Sequence, residues 1–260
     1  MSANRSLRMI GFCVLAATCA LMQTGCQQAD SATESSQSSG PCGSCDGASC
    51  GVVTQPVSTT AAVEATAEKT RVPLGLPPVP VPEDNPQTPE KIALGKMLYF
   101  DTRLSKDGTI SCATCHDPEI AWTEHRATSK GIGGQIGEDN SPTVINAAYA
   151  KEQFWDGRAE SLEEQALGPI ENPIEMGHDL DVLVKELAEI PEYKEGFQKV
   201  FGTGVTKDGI AKAIASFERT VLSGNSPYDR FKAGDKDALT ESPKRGMELF
   251  ENLGCSTCHA

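Results

Sequence analysis

Aromatic residues, positive charge and strand-like patterns are all scarce in this sequence. Phe, Trp and Tyr make up only 5% of its 260 residues. Since strand signals are equally few, the fold is predicted to be mostly α. The chain has 23 Lys and Arg residues against 36 Asp and Glu residues, which gives a formal net charge of -13. This deficit of positive charge argues against a nucleic-acid partner and favours solubility.

Long apolar runs are also missing. The apolar stretch Met9–Leu21 has 13 residues, too few to span a bilayer comfortably. Arg5 and Arg8 precede it, and small residues lie directly before Cys26. The pattern predicts a signal peptide over residues 1–25 and export to the periplasm. Two outcomes remain open at its end, namely simple cleavage or a lipoprotein anchor in which Cys26 is lipidated.

Residues 26–85 are rich in Ser, Thr and Pro and contain few large apolar side chains. Such a segment cannot bury enough surface to fold alone, so it is predicted to be a linker. It contains Cys42, Cys45 and Cys50, and no histidine comes directly after any of these cysteines. Metal binding and a disulfide both remain open for these cysteines.

Two copies of a C-x-x-C-H sequence are the most specific motifs of the chain. They are Cys112-Ala-Thr-Cys115-His116 and Cys255-Ser-Thr-Cys258-His259. This sequence is the attachment site of c-type haem, in which the cysteines form thioethers and the histidine is the proximal iron ligand. With 10 Cys and 4 His in the chain, chance predicts about 0.006 copies. A thioredoxin-like site would need a βαβ unit, and a zinc site would need both motifs to pair. Two covalently bound haem c groups are therefore predicted.

Helix signals begin at Thr88, which can cap a helix whose first position is Pro89. Ser161 and Glu164 predict a capping box. Apolar residues at helical spacing predict two further helices, one from Leu180 that stops at Pro191 and one from Ile210 that ends near Gly224.

A weak internal repeat divides the folded part of the chain. Gly95-Lys-Met-Leu-Tyr99 precedes the first haem motif, and Gly246-Met-Glu-Leu-Phe250 precedes the second. Ser242-Pro243 likewise matches Thr88-Pro89 as a helix start. We predict a cytochrome c-like haem domain over residues 86–235. The start of a second, truncated cytochrome c-like domain is predicted over residues 236–260.

The segment between the haem motifs carries four further motifs in order. They are Asn140-Ser-Pro-Thr-Val-Ile-Asn-Ala-Ala-Tyr149, Gln153-Phe-Trp-Asp-Gly-Arg158, Glu164-Gln-Ala-Leu-Gly-Pro169 and Asn172-Pro-Ile-Glu-Met176. With both haem motifs, they make residues 86–260 resemble the bacterial di-haem cytochrome c peroxidases and their methylamine-utilisation relatives.

The resemblance implies a role for each haem. His116 would be the proximal ligand of the peroxidatic haem, and His259 that of the haem at which electrons enter. Trp155 would lie between the haems and help electrons to cross. Asn140 would contribute to a calcium site.

Gln165 and Glu175 match residues that face bound peroxide in this family. Reducing hydrogen peroxide requires moving a proton from one of its oxygens to the other. A carboxylate can do this as acid and base, so Glu175 is the predicted proton carrier. Gln165 can hydrogen-bond peroxide without a change of charge.

One departure from the family pattern concerns the loop after the first haem motif, where many members place a distal histidine. Here residues 130–137 contain no histidine. His125 lies too early to be a good substitute, and His178 is most simply a helix-start residue. We therefore expect the peroxidatic haem to be open at rest.

These inferences predict a periplasmic di-haem peroxidase that reduces hydrogen peroxide to water. The expected electron donor is a small cytochrome c or a cupredoxin, and a homodimer is among the expected partners. Two alternatives remain. One is a methylamine-utilisation-type oxidase acting on a protein or organic substrate, and the other is a di-haem electron carrier without enzymatic activity.

Overall fold

The computed structural model describes residues 71–259. The predicted signal peptide, the lipidation site Cys26 and the cluster of Cys42, Cys45 and Cys50 lie outside the described residues. Within 71–259 the chain forms helices joined by short 3-10 turns and loops, and no strand is present there beyond three isolated bridges. The mostly α fold is therefore confirmed.

Eight α-helices make up the described region. They are α1 (Pro89–Tyr99), α2 (Cys112–Cys115), α3 (Leu162–Glu171), α4 (Leu180–Ala188), α5 (Pro191–Phe201), α6 (Lys207–Glu218), α7 (Pro227–Lys232) and α8 (Glu241–Asn252). No helix among them combines the length and the apolar composition that crossing a bilayer requires.

The predicted start of α1 is confirmed. The Thr88 side chain accepts a hydrogen bond from the Lys91 N–H at 3.2 Å, and Pro89 occupies the first turn. This arrangement satisfies one of the free N–H groups of the first turn, while the proline has none to satisfy. The helix therefore begins where its local sequence favours it.

The predicted capping box of α3 is only half present. The Ser161 side chain accepts from the Glu164 N–H, as expected. However, the Glu164 carboxylate accepts from the Glu160 N–H at 2.8 Å, one residue before the cap. The helix start is still stabilised, because the Ser161 hydroxyl accepts from an N–H of the first turn and the Glu164 carboxylate lies at the positive end of the helix.

The core forms where α1 crosses α6. Nearly every residue of α6 from Gly209 onward is buried, as expected for a helix that is apolar on most of its surface. A Cβ atom at Gly95 of α1 would lie 1.8 Å from the Ala213 carbonyl oxygen of α6. Glycine is therefore required for this close approach of the two backbones. The α3, α4 and α5 helices surround the pair and add Leu183 and Phe197 to the same core.

Residues 71–85, the described part of the predicted linker, are held against this helical core by polar contacts. Asn85 is fully buried, and its side-chain Nδ2 donates to Glu163 Oε1 at 2.6 Å. Its side-chain Oδ1 accepts from the Lys91 ammonium at 2.7 Å. Arg219 donates twice to Glu163, at 2.7 and 2.9 Å. Buried charges are tolerated when they are paired and hydrogen-bonded in this way.

The last described elements are α8 and a 3-10 turn that contains the second haem motif. Thr240 precedes α8, so Ser242-Pro243 lies inside its first turn rather than at its cap. No residue of α8 is buried, and the apolar side chains of Leu249 and Leu253 are exposed.

Candidate active site

The first haem motif forms a single helical turn, α2. Thr114 Oγ1 accepts a hydrogen bond from the Ser111 N–H at 2.9 Å and so caps the turn. The turn ends at His116, whose N–H donates to the Cys112 carbonyl at 3.0 Å. Because the turn is this short, Cys112, Cys115 and the histidine stay close together along the chain.

The tautomer of His116 is set by the segment that follows the glycine-rich loop of residues 130–137. His116 Nδ1 lies 2.9 Å from the Pro142 carbonyl oxygen. A carbonyl only accepts, so Nδ1 carries the proton and Nε2 presents its lone pair. Burial lowers the pKa of the imidazole and keeps it neutral. Both features are those of a histidine that binds a metal through Nε2.

Two adjoining cavities open beside this histidine. Their volumes are about 790 and 540 Å³, including space open to solvent. The second is lined by Cys112 and Cys115, neither of which forms a disulfide. Seven residues line both cavities: His116, Ser129, Ser141, Gln165, Pro169, Glu175 and Glu218. Two thiols, a neutral imidazole and this space fit a haem joined by thioethers.

Glu175 is held at the cavity by a tight turn after α3. Asn172 Nδ2 donates to Glu175 Oε1 at 2.7 Å, and the Ile132 N–H donates to the Glu175 carbonyl at 2.8 Å. A Cβ atom at Gly131 would lie 2.0 Å from the Ile174 carbonyl oxygen. The glycine-rich loop therefore packs directly against the backbone that carries Glu175.

The environment of Glu175 favours its protonated form. Burial raises the pKa of this carboxyl group, and the hydrogen bond from Asn172 and the charge of Arg158 only partly oppose the rise. A carboxyl group with a raised pKa can exchange a proton closer to neutral pH than a solvated one.

The other two predicted catalytic residues line the same cavity. Gln165 projects from α3 and is half-buried. Trp155 lies at the mouth and is 67% exposed, with Nε1 donating to the Asn140 carbonyl at 2.9 Å. The fold thus brings Trp155, Gln165 and Glu175 to one cavity with His116.

Of the remaining predicted residues, Asn140 also lines the larger cavity. Asn140 donates through its side chain to the Arg126 carbonyl. Within residues 71–259 no group of three or more His, Cys, Asp or Glu side chains could hold a metal ion, so the calcium role of Asn140 stays a prediction. His125 does not line either cavity. His178 is buried just before α4, and its Nε2 lies 3.1 Å from Glu186 Oε2.

The two cysteines and the histidine of the second motif are all exposed. Cys255 and Cys258 carry no disulfide. The Phe250 and His259 rings lie 6.5 Å apart between centroids. The predicted attachment of a second haem at these residues stays a prediction.

Sequence reasoning missed Glu218, which is buried in the wall of both cavities. A signal was present, because Glu218 lies four residues after Ile214 and therefore on the same apolar face of α6. Arg158, which also lines the larger cavity, was quoted in a motif but given no role.

The fold and the site define a helical cytochrome-type domain with carboxyl groups inside its cofactor cavity. The family model described as di-haem cytochrome c peroxidase matches residues 89–237, more than half of the chain. The chain belongs to this family, and membership implies haem cofactors.

Named relatives agree with this assignment. The chain is 45% identical over 184 residues to cytochrome c peroxidase Ccp of Escherichia coli (strain K12), covering 70% of this chain and 40% of that protein. It is 43% identical over 185 residues to the methylamine utilization protein MauG of Methylorubrum extorquens, covering 70% and 52%. The chain thus spans about half the length of the curated relatives it matches.

A solved structure shows the same fold. The crystal structure of a MauG-like protein associated with microbial copper homeostasis matches with a TM-score of 0.62 and 34% identity. The match covers 67% of this chain and 52% of that one.

Proposed function

We propose that this chain is a periplasmic di-haem peroxidase that reduces hydrogen peroxide to water. The observation that carries the proposal is the cavity wall, where His116, Glu175 and Gln165 lie together beside the two cysteines of the first motif. A plain electron carrier has no need for an acid–base group in its haem cavity. Relatives named cytochrome c peroxidase support the same conclusion.

Cys112, Cys115 and His116 would hold the peroxidatic haem. When bound, that haem supplies the electrons that split the O–O bond of peroxide. The hydrogen bond from Nδ1 to Pro142 orients the imidazole and increases its basicity as a ligand.

Glu175 would take a proton from one peroxide oxygen and return it to the other. Burial suits it to this task, since the raised pKa brings its proton affinity closer to neutral pH. Asn172 fixes one carboxylate oxygen at 2.7 Å and leaves the other free for the substrate. Gln165, which lines the same two cavities, would hydrogen-bond the peroxide.

Electrons would enter at the haem held by Cys255, Cys258 and His259 and cross near Trp155. Exposure of the Trp155 ring supports this role, because an aromatic ring that bridges two haems must extend beyond its own domain. The net charge of -13 favours a basic donor, such as a small cytochrome c, or otherwise a cupredoxin.

Export belongs to the same proposal, because covalent haem attachment takes place outside the cytoplasm. The predicted signal peptide over residues 1–25, followed by either simple cleavage or lipidation at Cys26, supports a periplasmic location from sequence alone. The calcium site at Asn140 and a homodimer stay predictions.

A second candidate is a methylamine-utilisation-type oxidase that acts on a protein or organic substrate. The similarity to MauG and to a MauG-like structure favours it specifically. Both candidates would use the cavity beside His116, so they differ in what is oxidised.

Three measurements on the full chain, produced with its haems attached, test the proposal. Haem quantification should give two haems per chain. Cyanide and peroxide should each change the absorption spectrum of the first haem, and peroxide should oxidise a reduced small cytochrome c with two electrons consumed per peroxide. A spectrum that responds to neither ligand would show an electron carrier. Peroxide consumption coupled only to oxidation of an organic or protein substrate would support the second candidate.

A further inference from the structure

Glu218 is a buried carboxyl group for which the proposed peroxidase chemistry has no use. It is the last residue of α6, it is 6% exposed, and it lines both cavities beside His116. Its Oε2 atom is buried and has no hydrogen-bond partner within the described residues. A buried polar atom without a partner is costly, so its retention in a cofactor cavity calls for an explanation.

The charges around Glu218 do not neutralise it. Arg219 comes directly after α6, but both terminal nitrogens of its guanidinium donate to Glu163 of α3. From α1 the Tyr99 hydroxyl is close enough to feel the charge of Glu218, and it is itself buried without a partner among residues 71–259. The thiol of Cys112 approaches from α2.

Among residues 71–259, the other groups that line the two cavities add no free cation. Glu175 faces it as a second carboxyl group, and His116 is neutral because burial lowers its pKa. Arg158 lines the larger cavity, where it bonds Asp156 at 2.8 Å and stacks 3.5 Å from the Phe154 ring centroid. The ionised form of Glu218 therefore lacks a dedicated counter-charge.

Burial is the main reason that the pKa of Glu218 rises to about 8, with Glu163 adding to the rise and Arg219 opposing it. A carboxyl group whose pKa is near 8 gains or loses its proton at neutral to mildly alkaline pH when a nearby charge changes. Oxidation of a haem adds one positive charge to such a cavity, and the low dielectric of the interior makes that charge strongly felt.

We propose that Glu218 takes up a proton when the haem held by Cys112 and Cys115 is reduced, and releases that proton when the haem is oxidised. One electron from an electrode or donor reduces ferric to ferrous iron, and one proton from water converts the carboxylate to the carboxylic acid. The coupling is reciprocal, so protonation of Glu218 raises the reduction potential by the same free energy. The inference rests on the haem attachment of the proposed function and does not depend on peroxide turnover.

This coupling would store a proton beside the haem at the moment when electrons arrive. Reduction of peroxide to two waters consumes two electrons and two protons. Glu175 only relocates protons that peroxide already carries, so Glu218 is a suitable source of one that must be added. Glu218 thereby acts on the haem potential and on proton supply.

The test is a redox titration of the full chain with its haems attached, at pH values from 6 to 10. In the wild type, the midpoint potential of one haem should fall with rising pH near pH 8. The limiting slope is a tenfold change in electron affinity per pH unit, about 59 mV for one electron. Glu218→Gln should abolish this slope. Glu171→Gln, at the exposed end of α3, is the matched control and should keep it.

Three results would overturn the inference: no slope in the wild type near pH 8, a slope that survives in Glu218→Gln, or a slope lost instead in Glu175→Gln. If Glu218→Gln attaches no haem, the proposal is tested by infrared difference spectra between the oxidised and reduced wild type. Reduction must then produce a protonated-carboxyl band, and Glu218→Asp must shift it. Absence of the band refutes the proposal. If only peroxide turnover fails, the proposed function is contradicted. The pH dependence of the midpoint potential then still tests the role of Glu218.

Discussion

Replacement of Glu175 by Gln tests the proton carrier directly. The substitution keeps the shape of the side chain. It also keeps an oxygen that can accept from Asn172 Nδ2, which donates to Glu175 Oε1 at 2.7 Å in the wild type. The backbone bond from the Ile132 N–H to the carbonyl of residue 175 is also kept. We therefore expect the free energy of unfolding to change by less than about 1 kcal/mol, as is usual when no buried group loses its partner.

The expected kinetic effect is much larger. General acid–base catalysis contributes about 10²- to 10⁴-fold, so peroxide turnover by Glu175→Gln should fall by about 10²-fold or more. At about 1.4 kcal/mol per factor of ten, this is about 3 kcal/mol of lost transition-state stabilisation. Such a loss cannot be explained by a folding change below about 1 kcal/mol.

The pH dependence has a definite sign. Burial raises the pKa of Glu175 above its ordinary value, so the carboxylate that accepts the first proton is lost at a higher pH than for an exposed Glu. Turnover in the wild type should fall as the pH drops through this raised pKa. Because the pKa of Glu175 is higher in the folded state than in the unfolded state, Glu175 stabilises the fold at pH values below its unfolded-state pKa. This contribution to stability is lost as the pH rises through the folded-state pKa. Both dependences should be absent in Glu175→Gln.

The assay is stopped-flow reduction of peroxide by a pre-reduced small cytochrome c, with haem content and unfolding measured on the same preparations. Glu171→Gln is the matched control, because it removes an exposed carboxylate four residues away that does not line the cavity. Unchanged turnover in Glu175→Gln would remove this residue from the mechanism. An equal loss in the control would attribute the effect to net charge.

Further changes test the loop, the buried network and the resting state of the haem. Gly131→Ala should lower both stability and turnover, because its methyl group would meet the backbone beside the catalytic carboxyl group. Gly246→Ala, in open space within α8, should raise stability by up to about 1 kcal/mol through helix propensity and leave turnover unchanged. Asn85→Ala should destabilise the fold by about 3 kcal/mol in denaturant unfolding, because the buried Lys91 ammonium loses one of its two acceptors and Glu163 loses the amide donor; a loss below about 1 kcal/mol would contradict this. The oxidised first haem should show a high-spin signal in electron paramagnetic resonance, because His116 is the only histidine that lines the cavities; a purely low-spin first haem would refute an open site.

The ends of the helices show how far local sequence is sufficient. The start of α1 at Thr88 and Pro89 was predictable because capping involves residues three positions apart. The stop before Pro191 was also predictable, although α4 already ends at Ala188 and the proline opens α5. The start of α8 was misplaced by about two residues, since Ser242 and Thr240 can both cap a helix and the sequence does not choose between them.

The buried polar network was beyond sequence reasoning. Asn85 lies in a segment of low-complexity composition, yet it is fully buried between Lys91 and Glu163. Its partners are 6 and 78 positions away in the sequence. Composition alone assigned this segment to a linker, because composition does not report contacts that form only when α1, α3 and α6 have packed.

By itself, the sequence determined the haem motifs and the helical class, which depend on residues that are neighbours in the chain. The roles predicted for Glu175, Gln165 and Trp155 came from the resemblance to the peroxidase family. The tertiary structure alone decided that Glu175, Gln165, Trp155 and His116 share one cavity, and that Pro142 sets the tautomer of the histidine. It also decided that Glu218 is buried there with a raised pKa, because burial and partner loss arise only when distant segments exclude water from the same space.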